Sequence, residues 1–283
     1  MKLSLFLKLM RLDKPIGILL LLWPTMWALW IASNGHPGFH LLSVFILGTV
    51  LMRSAGCVVN DIADRKFDRY VARTKDRPIT SGQVTVKEAL ILTLLLFLLS
   101  FLLILSCNTL TIFLSLVAVF LAVSYPFTKR FLSIPQAYLG IAFGFGIPMA
   151  FAAQLNFVPS VAGLLLLANL FWAIAYDTEY AMVDREDDIK IGIHSSALLF
   201  GKHDVLAIMS CYALTLFLLF IVGVLLHFGF VYFIFLLIAT LIALYHFSLI
   251  RKRDSKQCFK AFLHNNWFGG VVFLGIVVGT TLR

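Results

Sequence analysis

Nine apolar stretches, each close to the length needed to cross about 30 Å of hydrocarbon, constrain this chain more than any other feature. They run roughly over 16–33, 41–59, 89–106, 109–124, 134–153, 160–176, 205–226, 230–249 and 266–282. In lipid every backbone N–H and C=O must be satisfied within the protein, so stretches of this length and composition predict helices. With 61% hydrophobic and 13% charged residues, too little polar chain is left to wrap a water-soluble core. The expected architecture is an all-α membrane protein, a bundle of about nine transmembrane helices forming one domain over 1–283. Only Cys107 and Asn108 separate the third and fourth stretches, and their combined length requires a turn there. The run from Gly140 to Gly146, with Gly140 and Gly144 one turn apart, predicts close helix packing.

Charge gives these spans a direction. Lys2, Lys8, Arg11 and Lys14 precede the first span, and further basic clusters follow every even-numbered one. The opposite loops, 34–40, 107–108, 154–159 and 227–229, contain no Lys, Arg, Asp or Glu. Basic residues accumulate in cytoplasmic loops, so the N-terminus is expected inside, the C-terminus outside, and the charged loops on the cytoplasmic face of a bacterial inner membrane. Residues 1–15 read as an interfacial segment, with Ser4, Lys8 and Arg11 on one helical face. The formal net charge of +9 then belongs to a rim facing anionic lipid and anionic substrate, and nucleic acid is not an expected partner. The four cysteines show no metal-binding spacing and read as packing residues.

Most of the fourteen acidic residues fall in two segments on that rim, 60–88 and 177–204. In the first, Asn60, Asp64 and Asp68 are spaced by about one helical turn each, with Asp61 beside the stripe. In the second, Asp177, Asp184 and Asp188 share a face. Ion pairing with Arg65, Lys66, Arg69 and Arg185 is the plainer account of any single acid, but ionisable groups at the ends of membrane helices are functional by default. Two facing carboxylate stripes resist ionisation unless a cation lies between them, and an all-oxygen set suits Mg²⁺ bridged to phosphate. Arg73, Lys75 and Arg77, with Lys129 and Arg130 after the fourth span, could complete a diphosphate site. Arg53 sits inside an apolar helix about two turns before Asn60 and should face the cavity, binding either one of the acids or a substrate carboxylate, with its planar fork suited to the latter. Tyr125, Tyr176 and Tyr180 adjoin these segments and could stabilise a developing carbocation. A secondary transporter would also use clustered carboxylates, though nearer the bilayer midplane than this rim.

At these residues the sequence resembles the UbiA superfamily of intramembrane prenyltransferases, and within it the bacterial 4-hydroxybenzoate polyprenyltransferases. Asn60-Asp61-x-x-Asp64-x-x-x-Asp68 looks like the first signature and Asp184-x-x-x-Asp188 like the second. The likeness extends through Leu12-Asp13-Lys14-Pro15-Ile16-Gly17, Arg53-Ser54-Ala55-Gly56-Cys57, Arg77-Pro78, Ser124 to Arg130, and Tyr176 to Ile193. His194 departs from it, standing where relatives commonly place lysine.

The resemblance implies a nine-helix bundle that transfers a polyprenyl group from a polyprenyl diphosphate to the carbon ortho to the hydroxyl of 4-hydroxybenzoate, a step of ubiquinone biosynthesis. It implies Mg²⁺ and diphosphate held by Asp64, Asp68, Asp184 and Asp188, supported by Asn60, Asp61 and Asp177. Arg77, Lys129 and Arg130 resemble diphosphate or substrate contacts, and Arg53 an arginine near the aromatic acid. Homogentisate or a naphthoate is the alternative acceptor. Asp177 and the departing diphosphate are both candidates to take the final ring proton.

Overall fold

The computed structural model describes residues 2–71 and 73–282; Met1, Ala72 and Arg283, which fall within the expected 1–283 domain, lie outside the described residues. Among the described residues all regular structure is helical, without strands. In chain order the helices are α1 (Lys2–Leu9), α2 (Ile16–Ala32), α3 (Phe39–Asp64), α4 (Val86–Ile104), α5 (Thr109–Thr128), α6 (Pro135–Gly144), α7 (Gly146–Leu155), α8 (Ser160–Ile191), α9 (Ser196–Phe200), α10 (Asp204–Leu225), α11 (Phe230–Ile250) and α12 (Ser255–Thr281). Among the described residues eight spans are long and apolar enough to cross a membrane, counting α6 with α7 and α9 with α10, and the shorter apolar helix α2 brings the count to nine.

Local chemistry sets several boundaries. The expected turn before α5 is fixed by Asn108, whose side-chain oxygen accepts from the Thr111 N–H at 3.0 Å and caps the helix. Helix α4 opens with a capping box, Thr85 and Glu88 bonding each other's backbone N–H. The fifth apolar stretch is interrupted at Phe145, between α6 and α7. Pro148 accounts for the break, because it has no N–H for the Gly144 carbonyl and its ring crowds that position.

Two expectations at the rim change. The first acidic stripe does not continue as a helix: α3 ends at Asp64, the Phe67 N–H turns back onto the Asp64 carbonyl at 2.8 Å, and Asp68 opens a separate short turn. The second segment is less of a loop than expected, because α8 continues to Ile191 and stops at Gly192. There φ is +69°, a left-handed conformation that glycine adopts without strain.

Helix α8 is the axis of the bundle: 56% of its apolar window is buried within the protein, against 11% for α5 at the periphery. Its Trp172 stacks on Trp27 of α2 at 5.3 Å and lies 5.6 Å from Phe268 of α12. The close approach of α12 requires glycine, since a Cβ on Gly269 would stand 2.6 Å from both Trp172 and Trp23. Gly140 plays the same part between α6 and α8, where a Cβ would meet the Leu170 Cα at 3.0 Å, as its spacing predicts. The four cysteines are free.

Candidate active site

A cavity of about 910 Å³ opens among α2, α3, α5, α6 and α8, and both acidic segments line it. Asn60, Asp61, Asp64 and Asp68 form one wall, and Asp177, Tyr180, Asp184 and Asp188 the other. Arg53, Arg77, Tyr125 and Lys129 line it too, together with Arg73, Tyr176 and His194. On α8 the acids at 177, 184 and 188 share a face because the helix is continuous. Asp68 reaches the same cavity by the turn after α3.

The carboxylates meet cations in place of one another. A single Arg11 nitrogen, Nη2, reaches both oxygens of Asp61, at 3.0 and 3.1 Å. Arg77 bridges Asp61 at 2.9 Å and Asp68 at 2.8 Å. Lys129 reaches Asp64 at 3.3 Å, and Arg73 forks onto Asp184 at 3.1 and 2.6 Å. Burial pushes the Asp68 carboxyl above the ordinary carboxylate range, against the opposing pull of Arg77. Burial in turn disfavours the charged form of Arg77, yet Asp61 and Asp68 hold its pKa above the ordinary value. Two of the cations also meet aromatic faces: Arg73 lies 4.7 Å from the Tyr180 ring centre and Lys129 5.7 Å from that of Tyr125.

Among the described residues no group of three or more His, Cys, Asp or Glu side chains converges as a metal site would. In this structure guanidinium and ammonium groups pair with acids of each segment. The donor chemistry still fits a hard divalent cation. The carboxylates share one cavity, and the buried Asn60 Oδ1 has no protein hydrogen-bond partner.

Deeper in the cavity the polar atoms are left open. Arg53 extends from α3 with one nitrogen on Cys57 Sγ and its guanidinium 5.6 Å from the Phe143 ring centre, while its buried Nε has no partner. The Tyr176 hydroxyl is likewise buried and unpartnered. Gly17 makes room for this arginine: a Cβ there would stand 2.5 Å from Nη2. Beyond Arg53 the walls become apolar along α4 and α5, with Phe101, Ile104, Leu116 and Val119.

Arg130 is placed elsewhere. In the turn that follows α5, Lys129 points inward to Asp64 while Arg130 points out, donating to the Ala63 carbonyl at 3.1 Å. It lies outside the cavity lining, as does Lys75. Two contributors went unread in the sequence. Arg11 reads there as a topology marker, although it reaches an acid fifty positions away. Gln136 is buried at the start of α6, accepts from the Ser196 N–H at 3.0 Å and hydrogen-bonds Asp177. A lone polar side chain in an apolar helix was the available signal.

The UbiA prenyltransferase family model matches residues 21–276. A 4-hydroxybenzoate octaprenyltransferase of Thiobacillus denitrificans is 64% identical, the match covering 100% of this chain and 96% of that protein. One of the same name from Herminiimonas arsenicoxydans is 60% identical over 100% of this chain and 99% of its own length. Among solved structures, a UbiA homolog from Aeropyrum pernix superposes with a TM-score of 0.80 at 23% identity, over 92% of this chain and 97% of the other. A UbiA homolog from Archaeoglobus fulgidus bound to GPP and Mg²⁺ gives a TM-score of 0.72 at 18% identity, covering 96% and 99%. A helical bundle with acids from α3 and α8 on opposite walls of one cavity, matched along nearly its whole length by this model and these relatives, belongs to the UbiA prenyltransferase family.

Proposed function

We propose that this protein transfers a polyprenyl group from a polyprenyl diphosphate to 4-hydroxybenzoate, at the ring carbon ortho to the hydroxyl, releasing diphosphate. The observation that carries this reading is the polarity of one cavity. Its rim holds paired acids and cations, its middle holds the unpartnered Arg53 Nε and Tyr176 hydroxyl, and its far walls are apolar. The names of the relatives in Thiobacillus and Herminiimonas agree with it.

In this reading the diphosphate enters among Arg73, Arg77 and Lys129, which exchange part of their present carboxylate contacts for phosphate oxygens. Asp64, Asp68, Asp184 and Asp188, with Asn60, would hold Mg²⁺, which when bound neutralises the leaving diphosphate. The allylic C–O bond breaks with its electron pair on the diphosphate, and the faces of Tyr180 and Tyr125 offset the developing positive charge. Arg53 holds the carboxylate of the aromatic acid and so aims the ortho carbon at the cation. The new C–C bond forms, and the ring proton leaves to Asp177 or to the departing diphosphate. The prenyl tail lies along α4 and α5. In the same reading this chemistry takes place on the cytoplasmic side of a bacterial inner membrane, with the N-terminus inside, and the basic residues of the rim support that orientation.

Purified protein supplied with octaprenyl diphosphate and 4-hydroxybenzoate should form the prenylated acid, detected by mass, with Mg²⁺ and not with EDTA. Prenylation of homogentisate or a naphthoate in place of 4-hydroxybenzoate would overturn the acceptor assignment. Product formation unaffected by EDTA would remove the metal.

A further inference from the structure

A second groove, of about 690 Å³, lies between the ends of α3 and α5 and the start of α4. Its walls are apolar, and every charged residue lining it is basic: Arg65, Lys66 and Arg130. Phe67 and Phe97 line both this groove and the catalytic cavity, so a single layer of side chains separates them. We propose that the groove binds an anionic phospholipid, its phosphate among Arg65, Lys66 and Arg130 and an acyl chain along α4.

Charge complementarity argues for that occupant. Three cations at the rim of the neighbouring cavity are matched by acids: Lys129 by Asp64, Arg77 by Asp61 and Asp68, Arg73 by Asp184. Among the described residues none of the three groove cations forms an ion pair. Two of them are nevertheless held in place. Arg65 donates to the Ile62 carbonyl at 2.7 Å. Arg130 donates to Ala63, and its guanidinium lies 5.5 Å from the Phe67 ring centre and 5.1 Å from that of Phe127. A guanidinium has five donors, so the contacts to carbonyls leave most of them for a ligand. Cations spread along a rim only to set topology have no need of such seating.

The trough beside these cations runs along α4. Leu90, Thr93 and Phe97 line it at spacing i, i+3 and i+7, one helical stripe about 10 Å long. A phosphate at the level of the helix ends with an acyl chain running down that stripe is how a bilayer lipid lies. Free phosphate would use the cations and leave the trough unfilled.

The test uses the full chain in neutral detergent, offered phosphatidylglycerol and phosphatidylcholine of identical acyl chains, with bound lipid counted by native mass spectrometry. Each cation at headgroup level contributes about fivefold. The parent should therefore prefer phosphatidylglycerol by at least about tenfold, and the triple variant Arg65→Gln, Lys66→Gln, Arg130→Gln should bind both lipids alike. Lys66→Glu, at an exposed position outside the catalytic cavity, guards against misfolding of the triple variant and should by itself cost about fivefold or more. Val123→Trp, which fills the trough without touching a charge, should also lower phosphatidylglycerol retention. Equal retention of the two lipids by the parent, or an unchanged preference in Lys66→Glu, would overturn the proposal. Displacement of the lipid by inorganic phosphate would reassign the site to a free anion, and displacement by geranylgeranyl diphosphate would make it part of the prenyl donor's route; either outcome defeats it. None of these readouts depends on catalysis.

Discussion

Asp177 and Glu179 sit two residues apart on α8, and their surroundings differ in kind. Asp177 faces the catalytic cavity, near the unpartnered Tyr176 hydroxyl and Arg53 Nε. Glu179 turns about 200° away, into the packing between α8, α10, α11 and α12, and is 0% exposed. There its two oxygens accept from the Tyr212 hydroxyl at 3.0 Å and from Asn265 Nδ2 at 2.8 Å. The network continues without a gap. Tyr212 also meets His246 Nδ1 at 2.8 Å, His246 meets His264 at 3.0 Å, and Trp172 donates to Asn265 at 2.8 Å. A fully satisfied polar cluster ties helices together, whereas open polar atoms beside a cavity await a ligand. Burial of a carboxylate in a membrane helix therefore does not by itself mark the reaction. What distinguishes the two is access: Asp177 lines a cavity that a ligand can enter, whereas Glu179 is enclosed by side chains of the protein itself.

The strongest test of that distinction is to neutralise the cavity acids. Asp64→Asn or Asp188→Asn should lower turnover by about a hundred- to a thousandfold, with the thermal midpoint nearly unchanged, because the amide keeps the volume and loses the charge that organises metal and diphosphate. Full activity in either variant would break the comparison from the cavity side.

Arg53→Lys should follow, at about 2 kcal/mol or roughly thirtyfold in kcat/KM for 4-hydroxybenzoate, since an ammonium cannot reproduce the parallel hydrogen bonds of the guanidinium fork. The informative quantity is the ratio of turnover with 4-hydroxybenzoate to that with neutral 4-hydroxybenzamide, at saturating donor and Mg²⁺. A ratio unchanged by the substitution would show that Arg53 does not hold the carboxylate.

On the other side of α8 the effect should appear in stability. Glu179→Leu strands donors on Tyr212 and Asn265 and should cost about 1–3 kcal/mol of folding stability. Chemical denaturation would measure that loss, while KM for both substrates in the folded fraction stays within about twofold. A large rise in KM without loss of stability would place Glu179 in the catalytic machinery. The smallest effect belongs to Glu179→Gln, which keeps the volume and one acceptor oxygen and should cost under about 1 kcal/mol with normal turnover.

The residues differ in how much of this could be read beforehand. Asp177, Asp184 and Asp188 were legible as one face because a single helix carries them, and helical period fixes relative direction. The nine apolar stretches were legible because lipid accepts only satisfied backbone and apolar surface. Asp68 reaches the cavity by another route than its spacing implies: the spacing from Asn60 predicts a continuing helix, and the chain instead turns after Asp64. Lys129 and Arg130 read as a pair, and the structure divides them between the catalytic cavity and the outer groove.

The sequence by itself therefore determined the solvent, the number of apolar spans, the family and the residues that share a helical face, since all of these follow from composition, period and local motif. Only the tertiary structure decided which face meets which neighbour. The pairing of Arg11 with Asp61 and of Arg73 with Asp184, the seat that Gly17 leaves for Arg53, and the inward turn of Glu179 join residues 36 to 111 positions apart. Period fixes the angle between side chains along one helix, but the rotation of that helix against its neighbours is set by packing. Here that packing depends on Gly140 against Leu170 and Gly269 between two tryptophans.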